Sequence, residues 1–196
     1  MMAQFNVSYN KTMKVEGGYV NDPDDPGGET YKGISRRYHP SWKGWQIIDM
    51  AKDTPEWPEI GTDNTRILDI CCEGFYREQF WDPVAGDYIH EQELADELFD
   101  TAVNLHPVRA VTFLQEALNV LNKNGRWYED IVADGKMGPS TLDTLESYLT
   151  ASGSDTALLL KIMNILQGNH YITAMKSSPV KEKYARGWIN NRVQFS

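Results

Sequence analysis

The sequence predicts a mainly α fold with a small polar loop and β excursion after the first helix, and three observations carry that expectation. Apolar residues recur at helical spacing through most of the 196-residue chain. Turn formers gather in one stretch between residues 17 and 40, where neither a long helix nor a central strand persists. Apolar runs are short pieces such as Ala157 to Leu160, far below the about 18 residues of a membrane span, so stable membrane insertion is not expected.

Each element follows from its residues in chain order. Phe5, Tyr9 and Met13 have the spacing of one helix face, and Gly17-Gly18 stops that helix as a C-cap pair would, leaving Glu16 at its C-terminus. The eight residues from Asn21 to Gly28 are all turn formers and predict an ordered loop. Short strands are expected between Glu29 and Tyr38 around Gly33, and Trp42 to Met50 is an apolar patch of undetermined form. Asn64 to Phe80 predicts a helix with Ile67, Ile70, Cys71, Phe75 and Phe80 near one face, ended by Trp81-Asp82-Pro83. Glu91 to Leu105 and Pro107 to Leu121 predict a helical hairpin, the second helix opening on a proline at its first turn. Turns follow at Lys123-Asn124-Gly125 and Asp134 to Pro139. A helix then runs from Pro139 or Ser140 to about Thr150, and a longer one, capped by Ser154 or Asp155, runs through Met175. With no long linker, residues 1–93 and 94–196 are expected to pack as two parts of one body.

Composition narrows the partners. The net charge is −9, which leaves phosphate-backbone binding little to work with, so no nucleic-acid partner is expected. Charge is uneven: residues 1–98 carry 9 Lys and Arg against 19 Asp and Glu, whereas residues from Thr156 onward carry six bases and one acid. The two cysteines, Cys71 and Cys72, are adjacent and cannot form an ordinary disulfide with each other, which predicts reduced packing residues. The four histidines, His39, His90, His106 and His170, stand apart from any metal-ligand spacing, so neither a metal nor a cofactor is expected. The first six residues show no basic and apolar leader pattern, which predicts synthesis in the cytoplasm without a signal peptide. A monomer is expected.

The chemistry-bearing stretch is Glu16-Gly17-Gly18-Tyr19 followed by Asp22, Asp25, Gly27-Gly28, Thr30 and Gly33-Ile34. A carboxyl group at a helix C-terminus faces the negative end of the macrodipole, which disfavours its charged form. A raised pKa is what a general acid needs near neutral pH. The Asp-rich loop offers a second carboxylate kept ionised by solvent or hydrogen bonds, and two carboxyls in opposed environments make the pairing that glycosidic cleavage uses. The same residues have plainer uses, since Glu before Gly-Gly sits on many surfaces and Asp in a Pro- and Gly-rich loop builds turns. Calcium binding in the EF-hand manner is excluded, because Pro26 interrupts the alternation of Asp22 and Asp24 and Gly33 stands where a bidentate Glu is required.

The run E-G-G-Y-V-N-D-P-D-D-P-G-G-E-T-Y-K-G-I, Glu16 to Ile34, resembles the signature of the glycoside hydrolase family 108 muramidases, also known as secretion activator proteins. The likeness extends through F-Y-R-E-Q-F-W-D-P (Phe75 to Pro83) and L-F-D-T-A-V-N (Leu98 to Asn104). The segments Leu114 to Leu121, Asp134 to Leu142 and Gly187 to Val193 resemble the predicted peptidoglycan-binding region that accompanies that family. The resemblance implies a lysozyme-like α fold whose first helix ends in the catalytic glutamate, Glu16. It implies hydrolysis of the β-1,4 bond between N-acetylmuramic acid and N-acetylglucosamine, with peptidoglycan glycan strands as partner. It also implies action at the wall or in the periplasm, after holin-mediated release in phage or prophage lysis or after a dedicated export step.

Glu16, Asp25 and Thr30 are also similar to the Glu, Asp and Thr set of phage-type lysozymes, in which Asp and Thr position the attacking water. The Asp-to-Thr separation is one residue shorter here, and Asp22 competes with Asp25 as the second carboxylate. Asn104 resembles the Asn that ends an F-x-x-x-x-N segment behind the lysozyme cleft, the alternative being a cap before Pro107, and His106 stands where related chains often have Gly. Tyr19 and Tyr31 flank the acidic loop and suit sugar rings, having an apolar face and a polar handle. Among the six tryptophans, Trp42 and Trp45 stand nearest in sequence to this stretch. The Asp134-Gly135 to Thr141 motif reads fully as a glycine-dependent turn opening a helix.

Overall fold

The computed structural model describes residues 2–13, 18–22 and 27–193, and the chain divides into two compact units: Tyr9–Gln79, and Met1–Ser8 with Phe80–Ser196. Among the described residues there are eight α-helices and one three-stranded sheet. The mainly α class with a small β excursion after the first helix is therefore the one the sequence predicts.

Helix α1 (Phe5–Thr12) lends its residues through Ser8 to one unit and those from Tyr9 to the other. In the Tyr9–Gln79 unit, β1 (Tyr19–Asn21), β2 (Glu29–Tyr31) and β3 (Ile34–Ser35) pair antiparallel in that order. Lys32 and Gly33 join β2 to β3 with φ of 43° and 80°, the double positive φ of a two-residue hairpin turn. Tyr76 Oη donates to the Lys32 carbonyl at 2.8 Å and fastens that turn to the helix behind it. The apolar patch after Trp42 is helical from Gly44 onward, forming α2 (Gly44–Lys52) with Trp45, Ile48 and Ala51 buried.

Helix α3 (Thr62–Tyr76) corrects the sequence reading in one respect. Its buried stripe is Leu68, Cys72 and Tyr76, whereas Ile67 and Ile70 are 48% and 63% exposed. The helix carries apolar residues on two adjacent faces, and periodicity alone does not decide between them. The face that bears Tyr76 is inward because Tyr76 meets the Lys32 turn and stacks edgewise on Tyr9 at 5.8 Å. Cys71 and Cys72 are both free thiols, and burial pushes the Cys72 thiol up to about 12. A π-helical turn (Arg77–Trp81) continues α3 to its predicted stop.

In the other unit, Trp81 is fully buried in an edge-to-face cluster with Phe5 and Phe99, and its indole donates to Asp87 at 2.8 Å. Helices α4 (Gln92–Leu105) and α5 (Pro107–Leu121) form the expected hairpin. Leu94, Leu98, Leu114 and Leu118 are fully buried along it, each worth about 1.5–3 kcal/mol of apolar burial. His106 joins the two with φ 83°, a positive-φ geometry that glycine enters without strain and that His106 adopts here at the start of α5. Its Nδ1 accepts from the Val108 amide at 3.4 Å, so the cap of α5 is His106 and not Asn104. Helices α6 (Pro139–Ser152), α7 (Thr156–Ser177) and α8 (Ala185–Arg192) complete the unit, with a 3-10 turn (Pro179–Tyr184) before α8. Asp155 caps α7 by accepting from the Leu158 amide at 3.1 Å. No helix among the described residues is long and apolar enough to cross a membrane.

Candidate active site

The sequence places its chemistry on and beside the small sheet. Glu16 and Asp25, the expected acid and second carboxylate, lie outside the described residues. Thr30 sits in the middle of β2, opposite Val20 on β1 and Ser35 on β3. Its hydroxyl donates to the Gly28 carbonyl at 3.1 Å, and Ser35 Oγ donates to the Gly27 carbonyl at 2.6 Å. Two neighbouring hydroxyls thus fasten the end of the polar loop onto the sheet. Thr30 spends its one hydrogen there, and its oxygen keeps lone pairs able to accept from water. Asp22, the competing carboxylate, is exposed just after β1.

Strand alternation puts Glu29 and Tyr31 on the face opposite Thr30. Glu29 is the anchor of a charge network: Lys52 holds Oε1, and Arg36 Nε lies 3.0 Å from Oε2. Arg36 also meets Asp49 at 2.7 Å and lies 4.6 Å over the Trp45 ring. The Arg36 hydrogen bond is the main reason that the Asp49 carboxyl is held below its ordinary range. Desolvation lowers Lys52, but the hydrogen bond and charge of Glu29 outweigh it and raise the ammonium above its usual value. With both oxygens engaged, Glu29 fixes the sheet to α2.

Tyr19 stands at the edge of this network. Its ring packs edgewise on Trp57 at 4.7 Å, and Lys52 Nζ lies 5.6 Å from the Tyr19 centroid and 5.9 Å from that of Trp57. Burial, then the hydrogen bond to Glu29, raises the Tyr19 phenol. Tyr19 and Trp57 are both half-exposed, so together they offer a rigid aromatic ledge with a cation behind it.

The other aromatic residues singled out by sequence turn inward. Tyr31 is 3% exposed and stacked on Trp42 at 6.0 Å, and burial pushes its phenol up to about 12. Its ring is covered, which leaves Tyr19 as the half-exposed tyrosine of the pair. Trp42 and Trp45 are 8% and 3% exposed and donate to the carbonyls of Cys71 and His39. They belong to the core, and Trp57, which sequence distance passed over, is the tryptophan left at the surface beside Tyr19. A cavity of about 600 Å³ opens on the outer face of α3, walled by Phe75, Cys71 and Ile70 on one side and His39 and Trp42 on the other.

Asn104 belongs to the other unit, exposed on α4, where its amide donates to the Asp100 carbonyl at 2.8 Å. In the same unit the Asp134 to Thr141 motif is built around Gln115, which is 1% exposed. Gln115 Nε2 lies within 3.0–3.2 Å of Asp134 Oδ1, the Lys136 carbonyl and Thr141 Oγ1, and its Oε1 accepts from the Gly135 amide at 2.8 Å. Gly135 has φ 71°, and a Cβ there would lie 2.5 Å from Val108 Cγ1. The motif is accordingly a packed turn against α5. Among the described residues no three His, Cys, Asp or Glu side chains gather where they could hold a metal.

Two family models match the chain: Glycosyl hydrolase 108 over residues 9–105, and Predicted Peptidoglycan domain over residues 109–193. Among curated proteins nothing matches. Among solved structures, the Brucella abortus SagA structure matches with a TM-score of 0.52 at 22% identity, covering 96% of this chain and 88% of that chain. At that identity the likeness speaks for the fold.

Proposed function

Because the chain belongs to the glycosyl hydrolase 108 family and carries a predicted peptidoglycan domain, we propose that this peptidoglycan-acting glycoside hydrolase is an N-acetylmuramidase of the lysozyme type. The observation that carries the reading is the family match over residues 9–105, which spans the whole Glu16 to Ile34 stretch. Glu16 protonates the bridging oxygen of the β-1,4 bond between N-acetylmuramic acid and N-acetylglucosamine. Asp25, or Asp22 in its place, stabilises the positive charge that develops at the anomeric carbon or orients water. Thr30 accepts from that water while its own hydrogen holds the loop at Gly28, a division of labour that its hydrogen bond to the Gly28 carbonyl supports. Tyr19 with Trp57 forms a wall for a sugar ring. Carboxyls about 6.5–9.5 Å apart give inversion, and about 5 Å gives retention. The protein acts as a monomer on wall glycan, as an endolysin or secretion activator.

The test is digestion of purified peptidoglycan by the wild type and by Glu16→Gln, with mass spectrometry of the released fragments. Reducing N-acetylmuramic ends that vanish in the variant are expected. Release of 1,6-anhydro ends would make the enzyme a lytic transglycosylase, and sedimentation onto the wall with no release by either protein would leave a non-catalytic wall-binding protein.

A further inference from the structure

The second unit carries a feature that the cleavage chemistry does not use. Three rings stack from its core to its surface: Tyr171 on Trp188 at 4.9 Å and 22°, then Trp188 on Tyr184 at 5.5 Å and 25°. Tyr171 is 1% exposed and Tyr184 is 49% exposed, so the column is rooted in α7 and ends in solvent on the 3-10 turn. Lys183 Nζ lies 4.9 Å from the Tyr184 centroid. Beside the root of the column, His170 meets Tyr171 and Phe113 edgewise, and Arg109 lies 6.0 Å from the Phe113 centroid. Arg109 and Lys181 are close enough to His170 to bear on its protonation electrostatically.

The charges on this face are unspent. Among the described residues no ion pair engages Arg109, Lys181 or Lys183, whereas Arg192 on α8 is paired with Asp100. Glu182 is the one acid from Thr156 onward. Unpaired cations beside an exposed aromatic ring match a ligand that alternates sugar rings with carboxylates: the ring covers an apolar sugar face and the ammonium groups meet the acids. Long uniform polyanions fit less well, because the chain as a whole is −9 and repels them.

From this arrangement we infer that the face formed by Tyr184, Lys183, Lys181, His170 and Arg109 is a docking site for the peptidoglycan strand, reading the carboxylates of its peptide stems. The inference rests on the reading of the protein as wall-acting, and it assigns the contact to one face of the second unit. An exposed cation that meets a carboxylate contributes little alone, so the site works by repetition along the strand and weakens as salt rises.

The experiment is sedimentation of the full chain bearing Glu16→Gln with purified peptidoglycan, against the same wall after its carboxylates are capped as methylamides. Lys181→Glu with Lys183→Glu in one chain, and Tyr184→Ala in another, are compared with their parent, and unchanged thermal unfolding confirms each fold. The charge-reversed chain is expected to bind about tenfold more weakly, in line with two surface charge contacts reversed, and capping is expected to weaken the parent equally. Binding that is indifferent to both the reversal and the capping overturns the inference, as does equal binding to duplex DNA or to anionic lipid vesicles. Cleavage is read separately on short soluble glycan fragments with Glu16 intact. Loss of wall binding in the charge-reversed chain with fragment cleavage unchanged supports the docking face. Docking by the parent with no cleavage of fragments by the wild type would overturn the muramidase reading and leave the docking face standing.

Discussion

Replacing Gln115 by Leu tests how the second unit is held together. The substitution puts an apolar side chain of similar size at a site that is 1% exposed, so packing is nearly conserved and the polar contacts are what is lost. Asp134 and Thr141 can turn toward other partners or water, and the Lys136 carbonyl still accepts from the Gly138 amide at 3.0 Å. The Gly135 amide has no such exit, since Oε1 of Gln115 is its acceptor in a buried contact. Losing the net gain of the surrounding hydrogen bonds and stranding that amide costs about 3 kcal/mol. For a chain of this length that lowers the unfolding midpoint by about 6–12 °C. Circular dichroism on heating reads it directly. Gln115→Glu separates polarity from geometry: it keeps an acceptor for Gly135 but sets oxygen against oxygen at Asp134 and Lys136, so it is expected to be as damaging. A loss below about 1 kcal/mol in both variants would refute the claim that Gln115 organises the turn.

Gly135→Ala forces a side chain into a φ of 71° with its Cβ 2.7 Å from the Val108 carbonyl, and a loss above about 2 kcal/mol is expected in denaturant titration. His170 is held below its ordinary 6.5 by burial first and then by Arg109 and Lys181, so the unfolded state takes up the proton more readily. Stability therefore falls as pH drops through 6.5 and levels off below the lowered native value, and His170→Asn should remove that slope in unfolding curves across this range. Trp57→Ala removes half of the aromatic ledge beside Tyr19 without touching the proposed acid or water, and KM on soluble glycan fragments is expected to rise about tenfold with kcat within about twofold.

Long periodic segments were legible because helices reveal themselves locally. Pro107 and the stripe Val111, Leu114 and Leu118 define α5 at both the proline and the burial, and Asp155 caps α7 as a choice of two allowed. The inward face of α3 was not legible, since Leu68, Cys72 and Tyr76 compete with Ile67, Ile70 and Cys71 on the same helix and only the contact of Tyr76 with the β2–β3 turn decides. The site shows the same division. Thr30 and Tyr19 lie on the sheet beside the polar loop, as their positions in the motif suggest, but Tyr31, one residue along, faces the core. Trp57 could not be found by nearness in sequence, because it is 38 residues from Tyr19 and meets it through the fold. The Glu29 anchor had a faint signal in Asp49 and Lys52 at helical spacing, with no way of saying that Lys52 and Arg36 would both close on one carboxylate.

The tight turn at Lys32-Gly33 makes residue spacing a poor ruler for kinship in this stretch. The register of β2 is set from its β3 side by that turn and by the Tyr76 hydrogen bond, so Thr30 keeps its address however many residues arrive before it. Adding one residue to the seven from Asp22 to Gly28 would cost about 0.1 kcal/mol in closure entropy. A one-residue change in the interval before β2 therefore leaves the turn that sets Thr30 untouched, and length in this stretch is free to vary where the β2–β3 hairpin is not.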